Sequence, residues 1–514
     1  MKKLFLLLAL VPFMMRAQER IMVIADPHVL AGSLVEPGQA LDDMMASQRK
    51  MLDLSEEAWN AVMDTALKYR PALVLIPGDL TKDSEKASHD VVVNSLNKLH
   101  AEGIRTIVIP GNHDIGGNAY AYKGEQKIQV ENLKDELWET QYAWVYEQAA
   151  AKDPHSHSFA SEPLEGLTVL GIDGSHNAEG TGSLSEETLA WILAQADVAK
   201  KKNHMIIGMC HWQLMDHFDK QSSLESSCQL KDAAAIRDSL MRHGVHTVLT
   251  GHFHVNGITT WKDGNDSIVE ITTGSPITYP CPYRWLTIDE DRKSLSVETE
   301  DITALPSHPD LQTYSRAWMA EHTHSMINVL APRIWNRMDD IQAKLEQQFG
   351  ATTVQLLMQV LPQTNEERIA LVDKHIGSTV VELYLLHSDA NEPDHREADS
   401  LAQAFYTGMN NMIKEVLSVS IALKMVLLEP MTAYANSLAN EPLQSLVEDK
   451  TQWSSTNPDR TDDLHLTLAV ADGYVRETLG IISVEVNTQK IVRNGQLLII
   501  RNGKIYTIQG QELK

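Results

Sequence analysis

TIVIPGNHD, Thr106–Asp114, is the stretch on which the fold turns. Its apolar, β-branched half reads as a buried strand. Pro110 and Gly111 then break the run, and Asn112, His113 and Asp114 follow in succession. Nothing in a packed core asks for an amide, an imidazole and a carboxylate at the tip of a strand. A ligand does, because in open α/β sheets ligands bind beyond the carboxyl ends of the strands. The same construction recurs. IMVIADPH, Ile21–His28, ends in Asp26 and His28; ALVLIPGD, Ala72–Asp79, ends in Asp79. MIIGMCH, Met205–His211, ends in His211; TVLTGHFH, Thr247–His254, ends in His252 and His254. Each run is expected to form a strand of a largely parallel sheet. Segments with helical spacing, Leu54–Tyr69 and His89–His100, separate the first three.

Residues two apart on an extended chain point the same way, so Asp26 with His28, and His252 with His254, can each present a pair to one centre. With Asp79, Asn112 and His211 they make seven donor groups. One cation rarely takes so many; two cations sharing Asp79 would receive four each. Nitrogen and oxygen donors without thiolate suit zinc, iron or manganese rather than calcium or a closed structural zinc site. A further His-x-His pair, His322 and His324, reads as a solvated helix face, and HSDANEPDH, His387–His395, as a polar loop between helices.

Taken in order, Asp26-Pro27-His28, Gly78-Asp79, Gly111-Asn112-His113-Asp114, His211 and Gly251-His252-Phe253-His254 resemble the signature of the calcineurin-like metallophosphoesterase superfamily, over about Arg20–Asp301. The resemblance implies a β-sandwich flanked by helices, with a dinuclear site at one edge. It implies that Asp26, His28, Asp79 and His254 hold one metal, and that Asp79, Asn112, His211 and His252 hold the other. The implied reaction is hydrolysis of a phosphodiester or phosphomonoester by metal-activated hydroxide, with two divalent or trivalent ions (Zn, Mn or Fe) as cofactors. His113 is then a donor to a phosphoryl oxygen or a general acid for the leaving group, and Asp114 is expected to orient its ring.

One departure narrows the likeness. Purple acid phosphatases carry a tyrosine ligand shortly after Gly-Asp, whereas Leu80-Thr81-Lys82-Asp83 follows here, so that iron site is not expected. The Gly-Asp-Leu-Thr form looks more like the phosphodiesterase branches. TGSPITYPCPYRW, Thr273–Trp285, resembles a segment that follows the last metal motif in secreted phosphohydrolases of this type. Tyr279, Tyr283 and Arg284 are therefore pocket candidates, Arg284 for a phosphate, and His217 is another. The other reading of that segment is a strand with a packed turn.

A chain of 514 residues divides naturally into several domains. Residues 1–17 read as a signal peptide, with Lys2 and Lys3 before the apolar run Leu4–Met15 and Ala17 as a small residue for cleavage, which implies a periplasmic or secreted protein. Residues 18–301 form the expected metallophosphoesterase domain. Prolines mark a linker at Ile302–Leu311, residues 311–447 read as a mainly helical domain, and residues 462–514 as a small β segment with a hairpin at Asn502-Gly503. No later run qualifies as a membrane span, since Lys424 interrupts Ile421–Leu428. Cys210, Cys228 and Cys281 allow at most one bridge.

The net charge of -25 repels a nucleic-acid backbone. It is compatible with a small phosphate ester, because bound metals reverse the local field. A nuclease is the enzymatic alternative, and a non-catalytic binding scaffold the alternative of another class. Leaving-group recognition is expected from insertions such as Gly116–Tyr146.

Overall fold

The computed structural model describes residues 19–433 except 47, 176–180, 218–227, 265, 290, 291, 293, 337–341, 343–345, 348, 390–394, 419 and 422, and beyond them strands between 466 and 513. The expected signal segment lies outside the described residues.

The first half of the α/β region runs β1 (Glu19–Val23), α1 (Ser55–Tyr69), β2 (Leu73–Ile76), α2 (Lys86–Ala101) and β3 (Arg105–Val108). The three strands pair in parallel, Ile21 opposite Leu73 and Leu73 opposite Arg105. The four residues of β2, LVLI, are all buried, as expected of a parallel strand covered on both faces. Along α1 the buried positions Ala58, Trp59, Val62, Met63 and Ala66 repeat at three and four residues, one stripe of a 3.6-residue helix. Arg70 closes that helix with φ 51°, in the left-handed region.

The second half runs β4 (Leu167–Ile172), α3 (Glu186–Lys201), β5 (Met205–Cys210), α4 (Ala233–Arg242), β6 (Thr247–Thr250) and β7 (Asp266–Thr272), again with parallel neighbours. The Ser185 side chain starts α3 by accepting the Thr188 amide. The chain then returns to the first sheet: β8 (Pro282–Ile288) lies antiparallel to β1, and β9 (Ser294–Asp301) to β8. Each sheet has seven strands. One apolar core holds Ile21, Leu73 and Ile107 from the first sheet together with Val169, Ile207, Leu249 and Ile271 from the second, so the sheets face each other. A second cluster packs Ile192 and Ala196 of α3, and Ile236 and Leu240 of α4, on the outer side of the second sheet.

Two facing sheets flanked by helices are the sandwich that the resemblance implied, and the largely parallel sheet expected of the five runs is divided between them. Runs ending in site residues are split three to two between the sheets, and they meet because the carboxyl ends of both groups open on the same edge. At the far edge of the first sheet Leu466–Ala471 and Tyr474–Glu477 pair beyond β9. The later strands form a separate antiparallel sheet in which Arg501 pairs with Lys504.

After the linker comes a helical region with α5 (Leu311–Asn336), α6 (Ser378–Asp389) and α7 (His395–Leu417) as its longer members. Between α5 and α6, Thr364 and Glu367 form a reciprocal capping box at the start of Asn365–Val372. The region rests on the α/β layers: Gln312 on α5 donates to the carbonyls of Pro280 and Ile302, at 2.9 and 2.8 Å. His322, expected on a solvated face, is buried with its ring stacked 3.8 Å from that of Trp318; His324 pairs with Asp373. Cys210, Cys228 and Cys281 are all buried and form no disulfide with one another. Among the described residues no helix is long and apolar enough to cross a membrane.

Candidate metal centre

At the open edge the backbone itself is unusual. Asp26, His28, Asp79, His252 and His254 all have positive φ, from 41° to 66°. For residues bearing a Cβ this conformation costs roughly 1–3 kcal/mol each, and it persists where surrounding structure over-determines it, commonly at functional sites. The strands end in these strained turns, and their donor side chains converge at the edge. Glycines let the turns approach one another. A Cβ on Gly111 would strike the carboxylate and amide of Asp79, and one on Gly251 would strike the carboxylate of Asp26.

Two overlapping clusters result. Asp26, His28, Asp79 and His254 bring one donor atom each to within 4.8 Å of one another, and so do Asp79, His211 and His252. In the first, His28 Nε2 lies 3.0 Å from His254 Nε2, and His254 Nε2 lies 3.4 Å from Asp26 Oδ1. In the second, His211 Nε2 lies 3.2 Å from His252 Nδ1 and 3.1 Å from Asn112 Oδ1. Asp79 belongs to both: its Oδ2 is 3.4 Å from His28 Nε2 and 3.4 Å from His211 Nε2. Its other oxygen accepts the His113 amide at 2.9 Å, which fixes the carboxylate plane. His211 donates Nδ1–H to the Pro77 carbonyl at 2.9 Å, leaving the Nε2 lone pair for the site.

This donor set fits two cations. Neutral imidazoles that converge nitrogen to nitrogen, beside a shared carboxylate, repel one another unless positive charge lies between them. Asn112 completes four donors for the second centre, and no thiolate is among them, which suits a transition metal of the zinc, manganese or iron kind. The electrostatics point the same way. Burial, with Lys50 adding to it, holds His28 well below the usual imidazole value, so it is neutral and ready to ligate. Burial lowers His211 too, but the Asp79 and Asp26 carboxylates outweigh it and push that ring up to about 9. Burial raises the Asp79 carboxyl, yet His211, His113 and His28 hold it well below the carboxylate range. The edge is short of positive charge.

His113 stands beside this pair, its ring edge-on to His28 at 4.9 Å. Burial lowers its titration, but Asp79 and Asp83 raise it overall, so it is disposed to carry a proton. The expected orienter is corrected here. His113 Nδ1 meets Asp83 Oδ1 at 2.9 Å, and Lys82 pairs with the same carboxylate. Asp114 instead accepts the amides of Leu80, Thr81 and Gly111 at 2.9–3.1 Å, tying the Asp79 turn to the Asn112 turn. Burial first, and the charge of Asp79 second, push the Asp114 carboxyl up to about 7.

A cavity of about 290 Å³ opens over His252 and His254, walled by Gln48, Arg49 and Lys50 on one side and by Tyr384 of α6 on another. The pocket candidates from the sequence are elsewhere. His217 is buried among Gln213, Thr272 and Glu270, with its ring 5.8 Å from Phe253. Tyr283 and Arg284 are on β8: the Tyr283 hydroxyl donates to Glu300, and Arg284, fully buried, donates Nε–H to Asn256. Tyr279 interacts with Asp389 and Arg316 of the helical region. None of the four lines the cavity, and neither does the Gly116–Tyr146 insertion. What the sequence did not disclose is Lys50, whose Nζ lies 3.4 Å from His28 Nε2, and Tyr384. Asp83 was open to discovery, being one more carboxylate just after Asp79 in the same turn.

The chain is similar to known proteins over the α/β region. Residues 19–256 match the family model described as calcineurin-like phosphoesterase. A probable glycerophosphodiester phosphodiesterase GpdQ of Arcobacter nitrofigilis is 25% identical over 247 residues, covering 46% of this chain and 77% of that protein. A probable cyclic nucleotide phosphodiesterase of Moraxella catarrhalis is 26% identical over 203 residues, 39% of this chain; the match spans 64% of that protein, less than two thirds of its length. Among solved structures, a dimetal phosphatase from Danio rerio aligns with TM-score 0.39 at 13% identity, over 55% of this chain and 96% of that one. Purple acid phosphatase PPD1 of yellow lupin aligns with TM-score 0.37 at 12% identity, over 55% and 52%. Residues 19–256 form a calcineurin-like phosphoesterase domain, that of a metal-dependent hydrolase of phosphoric esters.

Proposed function

We propose that the protein is exported and hydrolyses a small phosphodiester or phosphomonoester at two transition-metal ions held by Asp26, His28, Asp79 and His254 on one side and Asp79, Asn112, His211 and His252 on the other. The observation that carries this reading is Asp79 Oδ2, 3.4 Å from an imidazole nitrogen of each cluster. Two bound cations supply a clamp on the phosphoryl oxygens and lower the pKa of water between them.

The residues of the chain do the rest. Asp79 and Asp26, fixed by the amides of His113 and His252, hold the floor of the site rigid before substrate arrives. His113, steered by Asp83, keeps a proton at Nε2 for the departing alkoxide oxygen or a phosphoryl oxygen. Tyr384 and the Gln48–Lys50 loop narrow the approach and limit water around the reacting ester. Diester hydrolysis is favoured over monoester hydrolysis by the similarity to a probable glycerophosphodiester phosphodiesterase and a probable cyclic nucleotide phosphodiesterase. A small substrate is favoured over a nucleic acid by the net charge of -25 and the cavity of about 290 Å³.

Purified protein loaded with manganese or zinc is assayed on bis(p-nitrophenyl) phosphate and p-nitrophenyl phosphate, with His252→Ala alongside. Turnover that needs added metal and is lost in the variant supports the reading. A protein that binds no metal, or a variant as active as the wild type, sinks it. Export is tested separately by locating the mature protein and sequencing its N-terminus.

A further inference from the structure

Strand β7 carries a carboxylate that the reaction does not use. Its residues Ile268-Val269-Glu270-Ile271-Thr272 alternate between two layers. Val269 and Ile271 enter the core between the sheets, and Ile268 enters the layer between the second sheet and its helices. Glu270 falls on the Ile268 side and is fully buried. An acidic group in an apolar layer is costly unless donors surround it. Here the Leu214 amide donates to Oε2 at 2.8 Å, and the hydroxyls of Thr250 and Thr272 lie 3.1 and 3.3 Å from Oε1. The two hydroxyls are 2.6 Å apart, and His217 Nε2 lies 2.9 Å from that of Thr272.

What the donors share is their place. Leu214 follows His211 on the chain leaving β5, and Thr250 precedes Gly251 and His252 at the end of β6. One carboxylate therefore holds the exits of the two strands that bring His211 and His252 to the second cluster. The Gly251 amide, donating to the His211 carbonyl at 3.1 Å, joins the same two turns directly. The first sheet has a matching device in Asp114, which spans the Asp79 and Asn112 turns through the amides of Leu80, Thr81 and Gly111. The reach of Glu270 is uneven between the two centres. The second takes both His211 and His252 from the turns it holds. The first takes Asp26, His28 and Asp79 from the other sheet, and His254 alone from the β6 turn.

We propose that Glu270 is a positioning residue for the second metal centre, fixing His211 and His252 around one cation while the other centre is held mainly by the first sheet. This rests on the hydrolase reading above and adds to it an unequal support for the two cations. In the test, the full chain freed of metal is titrated with manganese by calorimetry, and electron paramagnetic resonance separates lone manganese from a coupled pair. His211→Ala marks the binding step that belongs to the second centre. Glu270→Met removes the acceptors at similar volume, and Thr250→Val removes one donor with little change of shape. Glu270→Gln is the conservative control: its amide oxygen still accepts from Leu214, and its NH2 group can donate to the Thr250 hydroxyl.

Glu270→Met is expected to weaken the step marked by His211→Ala by about tenfold to a hundredfold, the scale seen when a partner behind metal ligands is lost, and the other step by less than about threefold. The coupled-pair signal then needs more manganese, and turnover of bis(p-nitrophenyl) phosphate recovers as manganese is raised. Thr250→Val weakens the same step by about fivefold, the scale of one hydrogen bond, and Glu270→Gln stays within about threefold of the wild type. Unchanged affinity at the second centre in Glu270→Met, equal weakening of both centres, or a Glu270→Gln variant as weak as Glu270→Met overturns the proposal while two-metal hydrolysis by the wild type stands. If Glu270→Met does not fold, Thr250→Val decides by the first two of these criteria. A wild type that binds no manganese overturns both the proposal and the reading beneath it.

Discussion

The floor and the rim of the reaction centre follow opposite construction rules. Every residue of the floor sits at the tip of a strand, and neighbours in sequence are neighbours in space: Asp26 beside His28, Asn112 beside His113, His252 beside His254. Their positions are held by strained backbone, five donors with positive φ, and by carboxylates that accept amides from the next turn. The rim is made by distant pieces of chain. Arg49 comes from a loop before α1 and Tyr384 from α6, and they meet only because the helical region docks on the sandwich edge through Trp318 and Gln312. Changes in the floor should therefore abolish metal binding and turnover together, whereas changes in the rim should alter which substrate enters.

The largest effect is expected at Asp79. Replacing it by Asn removes the charge and one of two oxygens at the point the clusters share. Turnover should fall by about a thousandfold or more, with bound metal falling in parallel. A variant that kept full metal content and turnover would erase the distinction between floor and rim. His113→Ala comes next. It should slow alkyl esters by about a hundredfold or more, and nitrophenyl esters, whose alcohol leaves without a proton, much less. Asp83→Ala should reproduce that pattern in weaker form, because it acts through the ring it steers. Equal losses on both ester types would remove His113 from proton transfer.

At the rim, Trp318→Ala deletes the indole donor to the Gln48 carbonyl. One hydrogen bond of this kind is worth about 1 kcal/mol, so KM should rise by roughly fivefold while metal content stays at the wild-type level. A fall in metal content would show that the helical region supports the floor as well.

The smallest effect concerns stability. His89, buried between the Tyr142 hydroxyl and the Asp114 carbonyl, has its titration lowered by burial to about 3. Because the folded value is depressed below the free value, the neutral ring contributes its full stability above about pH 6.5 and loses it as pH falls from there towards 3. The slope is about 1.4 kcal/mol per pH unit, or about 2 kcal/mol between pH 6.5 and 5. Urea unfolding at pH 7 and 5 should show this loss in the wild type and a smaller one in His89→Gln. Equal losses would assign acid sensitivity to other groups.

The same contrast explains what the sequence disclosed. Asp26, His28, Asp79, Asn112, His211, His252 and His254 were legible because strand tips place their side chains by local geometry. Which sheet each strand joins was not, since a buried run ending in a polar group looks the same in either. The partner of His113 was misread for a related reason. Asp114 is adjacent in sequence, but the tight turn aims its carboxylate back at the amides of Leu80, Thr81 and Gly111, while Asp83 reaches the ring across space. Arg284 was a phosphate candidate because its segment resembles one that follows the last metal motif in secreted phosphohydrolases; strand pairing opposite Val23 and Thr299 buries it. Arg49 and Tyr384 carried no local signal at all, because their meeting is purely tertiary.

The most direct test is a crystal structure of the manganese-loaded protein with anomalous diffraction recorded at the metal edge. The account predicts two anomalous peaks with the Asp79 carboxylate coordinating both, His28 and His254 on one, His211 and His252 on the other. A single peak, or two peaks that do not share Asp79, would contradict it.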